Sequence, residues 1–474
     1  MMPRVLATPI AADFHRPRAG IPHRVTGDVL EAVLPGAGRD RLVQRDVLVV
    51  TTGQQPGLFT GPLYTIHKAL SAIALAARLE RERQVPVVPV FWVAGDDADF
   101  AEANHCAFLD AAGDAQSIVL RERPADAPQH SLFREMCGDD VTRALEELRA
   151  KTPETEFKTK VLQWLDDSYR PDISLSDAFA FALNELLGSR GLAVFCAHRR
   201  TAKRAAAPLL LKALDVVLPD GLSPVLVEGK LGRDRLRADG KMFVTRRSEE
   251  RFSRADLEAI AKTAPDRLSP NVLLRPAVEA ALFPTVAYCA GPGELQYLPD
   301  AAPCHAALGL TPQTPVPRWS GILIESKVEK VLERHRITVD DLKPPAGALE
   351  GRIAKGALPP ETLELLERLR TSLTADYDAL AKAAATIDPT LERTVQSTRN
   401  QALGGTQEIE KKLVASVKRT HETLTGQIVK ARAALYPLGA PQERSLTIAS
   451  FLLRYGPGLV DELAREVARW TDAL

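Results

Sequence analysis

Apolar positions along this chain change their spacing several times, and each change predicts an element. "RDVLVVTTG" is a short β-branched run bounded by a charge and a glycine, which predicts a buried strand over roughly 46–52. Over 62–83 the apolar residues Leu63, Ile66, Leu70, Ile73, Ala77 and Leu79 fall near one helical stripe, with Pro62 suited to the first turn. "VPVVPVFWVAGDD" then runs apolar without alternation, as a strand covered on both faces does. Together these make a β-α-β unit. A right-handed crossover sets the two strands parallel and brings the turns at 53–61 and 95–99 to their carboxyl ends, where open α/β sheets bind ligands. "GLAVFCAH" at 191–198 and "PTVAYCAGPGELQYL" at 284–298 are further strands for the same sheet, whose order stays open.

Between these units the residues 110–170 and 220–275 are polar and uneven, and read as insertions into an α/β core spanning 1–358. From Pro359 the texture changes. Leu363, Leu366, Leu373, Leu380, Ala384 and Ile387 step by threes and fours, and Ile409, Leu413, Ser416, Thr420, Leu424, Ile428, Ala431 and Leu435 follow after the break at Pro389. This predicts an antiparallel, coiled-coil-like helical hairpin over 359–436. Gly404 and Gly405 interrupt its second helix and are expected to loosen it, at about 1 kcal/mol each relative to alanine. The stripes carry more apolar surface than one hairpin buries between its own helices, so a homodimer through the hairpin is expected. Residues 437–474 regain apolar periodicity and are expected to dock on the core.

Composition narrows the function classes. A chain of 474 residues with 45% hydrophobic content supports more than one core. Lys plus Arg equals Asp plus Glu at 61 each, which argues against the basic face that nucleic acid or an anionic membrane requires. The first twenty residues lack a long apolar segment and no run reaches membrane-spanning length, so a cytoplasmic protein is expected. Five cysteines, with no CxxC pair, fit free thiols in a reducing compartment, and Cys289 within "PTVAYCAG" reads as core.

Three turns carry the candidate chemistry. In "TTGQQPGLFTGPLYTIHK", Gly57 lets the backbone approach a ligand, Gln54 and Gln55 offer amide donors and acceptors, and the helix that follows favours an anion. The glycine spacing matches neither GxGxxG nor GxxxxGK[ST]. His67 is a candidate acid/base and Lys68 a candidate point charge; neighbours on a helix point about 100° apart, so one of the two is expected on the surface. "GDDADFAEANH" gathers Asp96, Asp97, Asp99, Asn104 and His105 behind a buried strand, suited to a substrate amine, sugar hydroxyls or magnesium; lacking HExxH-type spacing, no metal is expected. In "AGPGELQYL", Gly291 and Gly293 open the backbone to a ligand, and Glu294 with Tyr297 closes the other side. Each turn follows its strand in the same way, which points to one pocket.

These blocks, with "VPRWSGILIE" and "PLGAPQER", resemble the bacillithiol biosynthesis cysteine-adding enzymes, the cysteine ligases, in family order from about residue 50 to 445. The resemblance implies a Rossmann-like core related to class I aminoacyl-tRNA synthetases, with connective insertions and a carboxyl-terminal coiled coil that mediates dimerisation. It also implies the last step of bacillithiol synthesis, in which L-cysteine is joined to glucosaminyl malate. Two departures stand out. Asp96-Asp97-Ala98-Asp99 replaces the family's Glu-Asp-His-Asp, so an acid/base role of the missing histidine would pass to His67 or His105, and Leu298-Pro299-Asp300 replaces an aromatic and a glutamine. Amide formation requires an activated carboxyl. An ATP-dependent acyl phosphate or adenylate would supply one, and the cofactor is left open because no KMSKS-like loop stands out. The resulting assignment makes His67, Asp97, Asp99 and His105 catalytic, and Gln54, Gln55, Gly57, Asp96, Asn104, Gly291, Gly293, Glu294 and Tyr297 substrate-binding. The alternative is a non-catalytic, dimeric nucleotide-binding scaffold or sensor.

Overall fold

The computed structural model describes residues 2–25, 27–420 and 422–474, without the side chains of 418, 420 and 422–424. Five strands form a wholly parallel sheet: β1 (Leu48–Gln54), β2 (Val87–Val93), β3 (Ala193–Cys196), β4 (Thr285–Ala290) and β5 (Thr314–Pro317), in the order β5-β4-β1-β2-β3. The four strands read from the sequence are therefore in one sheet. β1 pairs with β2 in register from Leu48↔Val87 to Gln54↔Val93, so it ends two residues beyond the expected 52 and Gln54 closes the strand. The short edge strand β5 escapes the hydrophobic pattern because Pro315 and Pro317 dilute it, and an edge is where a sheet tolerates proline. β2 is buried along its whole length, because helices cover both faces of the sheet.

Helix α1 (Tyr64–Arg83) carries the β1-to-β2 crossover and buries Ile66, Leu70, Leu75 and Leu79. The carboxyl-terminal helix Gly458–Ala473 lies against it, with Arg78 Nη1 donating to Thr471 O at 2.6 Å. Residues 1–325 and 440–474 accordingly form one compact unit. On the opposite face α2 (Arg200–Lys212) packs Ala202, Ala206 and Leu210 into the core around Val90, Trp92 and Phe195. The first insertion holds the antiparallel pair His105–Leu109 and Ala115–Val119 followed by helices, and the second an antiparallel sheet whose edge strand is Leu268–Pro270.

Residues 326–439 form the second unit. Its hairpin pairs Pro360–Ile387 with Leu391–Thr420; the long helix starts beside the expected 359, whereas the compact unit begins at Ser326. The expected interruption at Gly404 and Gly405 does not occur, since the helix runs through both. Their summed cost of about 2 kcal/mol is small beside a 30-residue helix pinned to its partner by Arg370–Glu410 and Arg399–Asp378 ion pairs. Leu366, Ala381 and Ala384 are buried in the seam, while Leu380 and Ile387 are exposed; the side chains of Thr420 and Leu424 lie outside the described residues. Among the described residues, no helix is long and apolar enough to cross a membrane.

Candidate functional site

The carboxyl ends of β1, β2 and β4 meet at a cavity of 410 Å³. Gln54 and Gln55 line it from the first turn, Asp96 and Asp97 from the second, and Gly291, Gly293, Glu294 and Tyr297 from the third. Segments as far apart in the chain as Gln54 and Tyr297 converge because parallel neighbours bring their carboxyl ends to the same edge of the sheet.

Lys68 organises the floor. Its ammonium is buried and donates to Glu294 Oε2 at 2.6 Å, Gly53 O at 2.7 Å and Gln54 Oε1 at 3.0 Å. Gln54 Nε2 in turn donates to Tyr64 OH at 3.0 Å. On the far side Glu294 Oε1 accepts from Tyr288 OH at 2.6 Å, and its other oxygen accepts the Gly291 N–H at 2.7 Å. Arg275 donates to Tyr288 OH at 3.2 Å and to Glu279 at 3.0 Å. Burial pulls the Lys68 ammonium below its ordinary value and Glu294 opposes that pull. Burial alone would raise the Glu294 carboxyl; Lys68 and Arg275 reverse this and hold it below the ordinary value. Glu279, behind Arg275 and fully buried, is pushed up to about 7 by burial, against the pull of Arg275 and of the Thr51 hydroxyl. A chain of donors and acceptors thus fixes Gln54 and Glu294 before any ligand arrives.

Expectation and structure differ for His67 and Lys68. Neither is on the surface: the segment around Glu443 covers His67, and Lys68 is buried against Glu294, Gly53 and Gln54. His67 points away from the cavity. Its Nδ1 lies 2.9 Å from Glu443 Oε2, its ring packs edge-on against Trp319, and its Nε2 is buried without a hydrogen-bond partner. Burial lowers the imidazole, an effect that Glu443 partly offsets. Glu443 also takes two bonds from Arg318, at 2.7 and 2.9 Å, and these with His67 hold its carboxyl far below the ordinary range although burial would raise it. Arg318 itself reaches the cavity wall. A Cβ at Gly291 would stand 3.7 Å from Arg318 Nε, an ordinary contact, and that Nε is buried without a hydrogen-bond partner.

The acidic cluster divides. Asp97 lines the cavity while its Oδ1 accepts the N–H groups of Ala98 and Asp99 at 2.7 and 3.1 Å. Glu102 also lines it, its carboxyl raised by partial burial and by Asp99 and Asp97. Asp99 caps the helix Phe100–Ala103 by accepting from Glu102 N. Asn104 donates to Arg121 O at 2.7 Å and His105 bonds to Ala101 O at 2.9 Å. These three face a separate depression of 480 Å³ beside the first insertion. Gly57 is not in the cavity wall either: a Cβ there would stand 2.9 Å from the Gly61 Cα, so the close approach it permits is to its own loop.

Lys68, the candidate point charge, stands in the wall, and the structure adds Glu102, Arg233, Arg275, Arg318 and Arg444 to it. Arg318 and Arg444 lie 5.7 and 5.9 Å over the Tyr64 ring. The sequence held one signal for part of this set. Arg318 and Arg444 belong to "VPRWSGILIE" and "PLGAPQER", blocks with no chemistry assigned from periodicity. All five cysteines are free and buried, and burial raises the Cys196 and Cys289 thiols above their ordinary value, which disfavours the thiolate a nucleophile needs.

Residues 38–217 and 226–318 match the family model described as "Bacillithiol biosynthesis BshC, N-terminal Rossmann-like domain", and 321–469 match "Bacillithiol biosynthesis BshC, C-terminal coiled-coil domain". The "Putative cysteine ligase BshC" of Salinibacter ruber is 31% identical over 454 residues, covering 90% of this chain and 82% of the relative. The protein of the same name from Heliobacterium modesticaldum is 31% identical over 465 residues, covering 91% and 83%. That from Chlorobaculum tepidum is 30% identical over 456 residues, covering 88% and 80%.

Proposed function

The chain belongs to the BshC family of bacillithiol biosynthesis, and from that premise we propose that it is a ligase joining L-cysteine to glucosaminyl malate through an amide bond, the last step of that synthesis, in the cytosol. The observation that carries the reading is a cavity at the strand ends whose wall mixes Asp97 and Glu102 with Arg233, Arg275, Arg318 and Arg444. Both substrates need both signs. Cysteine is a zwitterion, and glucosaminyl malate brings an amine on one part and two carboxylates on the other.

In this reading the guanidiniums hold the malate carboxylates, to which they are matched in shape and charge. Asp97 holds an ammonium. The new C–N bond joins the glucosamine nitrogen to the cysteine carboxyl carbon, whose departing oxygen must first be made a leaving group. ATP would supply this as an acyl phosphate or adenylate. The attacking amine loses a proton, and in this reading Glu102 takes it, since it lines the cavity and its raised affinity for a proton suits a general base. Lys68 and Glu294 act by fixing the floor on which the reactants lie.

The test is direct: purified protein with cysteine and glucosaminyl malate, with and without ATP, followed by mass spectrometry for the thiol product. Product formation that depends on the protein supports the ligase, and the ATP arm identifies the activating cofactor. Binding of a nucleotide without product would favour the sensor reading.

A further inference from the structure

Asp96 and Asp97 stand side by side in the acidic turn, yet their surroundings differ. The Asp96 carboxylate, 8% exposed as a residue, meets the ammonium of Lys203, which is 2% exposed and comes from α2 on the far face of the sheet. The same ammonium donates to Leu268 O at 3.0 Å, in the edge strand of the second insertion, and lies 5.8 Å from the Phe133 ring of the first. That first-insertion segment also grips the turn, Phe133 N donating to Gly95 O at 3.0 Å and Leu132 N to Asp97 O at 2.7 Å. Ala202, Ala206 and Leu210 line, with Lys203 and Asp96, a void of only 10 Å³, so the ammonium sits against apolar surface, while Asp96 also lines the 410 Å³ cavity. One side chain therefore ties both insertions to the turn that ends β2. It also neutralises Asp96, whereas Asp97, which lines the cavity beside it, meets only backbone N–H donors on its Oδ1 among the described residues.

We propose that Lys203 is a positioning residue of the candidate site: it orients and neutralises Asp96, so that the acidic turn presents Asp97, and not Asp96, as the carboxylate available to a substrate ammonium. The proposal rests on the ligase reading given above. It moves Asp96 from substrate contact to support. Lys203 is 2% exposed, so removing Asp96 strands a buried ammonium and removing Lys203 leaves Asp96 without its partner; either change alone unsettles the turn, while removing both charges together leaves a neutral pair of similar shape.

The test compares Lys203→Met, Asp96→Asn and the double variant with the wild type, by urea denaturation and by product formation per folded molecule. Lys203→Met is expected to lower kcat/KM roughly 100-fold, the scale of a misplacement of about 1 Å. The double variant is expected to regain turnover to within about tenfold of wild type and to be more stable than either single variant. Should Lys203→Met fail to fold, the double variant against Asp96→Asn carries the same comparison. Folded Lys203→Met with wild-type kcat/KM overturns the proposal. So does a double variant no more active than Asp96→Asn, because the Asp96 charge would then be used by the substrate itself. A wild type that forms no product overturns the ligase reading together with this role, whereas an active wild type with an indifferent Lys203 overturns the role alone.

Discussion

Two turns on the same edge of the sheet use the same device in different ways. After β4, Glu294 pairs with the buried Lys68; after β2, Asp96 pairs with the buried Lys203. Lys68 stands in the cavity wall, its ammonium filled by three acceptors, and its carboxylate partner keeps two further donors in Tyr288 and Gly291. Lys203 stands behind the wall, and the bonds found for the Asp96 carboxylate run to it alone among the described residues. A pair inside a network can lose a member and keep some of its hydrogen bonds. The Asp96–Lys203 pair has less to fall back on, since beyond Asp96 the ammonium keeps only Leu268 O among the described residues.

The sharpest way to break this comparison is to remove each lysine. Lys203→Met should cost about 4 kcal/mol in urea unfolding, and Lys68→Met about 3 kcal/mol, because Glu294 retains its other donors. Equal costs, or the reverse order, would mean that the network does not buffer the loss. Asp97→Asn keeps the backbone caps but removes the charge. It should weaken binding of the amine-bearing substrate by roughly 1.5 to 3 kcal/mol by calorimetry, and unchanged affinity would return Asp97 to a capping role.

The first turn offers a contrast within seven residues. Gly57→Val forces a side chain against Gly61 and should lower stability by about 1 to 3 kcal/mol. Gln55→Ala should instead reduce turnover with little change in melting temperature, because Gln55 lines the cavity. Intact turnover in Gln55→Ala would remove it from the site.

Glu279 supplies a pH test of the Lys68 side. Its carboxyl is at about 7 in the folded protein against 4.5 ordinarily, so between these values the folded state binds more protons than the unfolded one. Its contribution to stability is therefore full below pH 4.5 and is lost as pH rises towards 7. Glu279→Gln should flatten the decline in stability over that window, and an unchanged slope would assign the decline elsewhere. The smallest effect is expected from the hairpin. Deleting 361–436 should convert a dimer to a monomer in light scattering while leaving substrate binding in the sheet unit largely intact, and a full-length monomer at micromolar concentration would refute assembly through the hairpin.

Much of the architecture was legible along the chain. Unbroken apolar runs marked β1, β2, β3 and β4, and the change of spacing at Pro359 marked the hairpin, since burial on two faces and burial on a helical stripe leave different local patterns. β5 was hidden by its prolines, and the helix ran through Gly404 and Gly405 because tertiary contacts outweigh a propensity of about 1 kcal/mol per residue.

By itself the sequence pointed three turns towards one pocket, because strands buried on two faces and a helical crossover leave patterns a few residues long, while the strand order that makes the turns neighbours was decided only in the fold. Which side chains face that pocket was decided only in three dimensions. His67 and Lys68 are neighbours in the chain, yet one turns to Glu443, 376 positions away, and the other to Glu294. Asp96 and Asp97 are likewise adjacent, and a lysine 107 positions distant separates their roles. The reason is physical: a buried charge must find a countercharge, and where the chain supplies it depends on which distant segments the fold brings within about 3 Å, a distance that no local periodicity encodes.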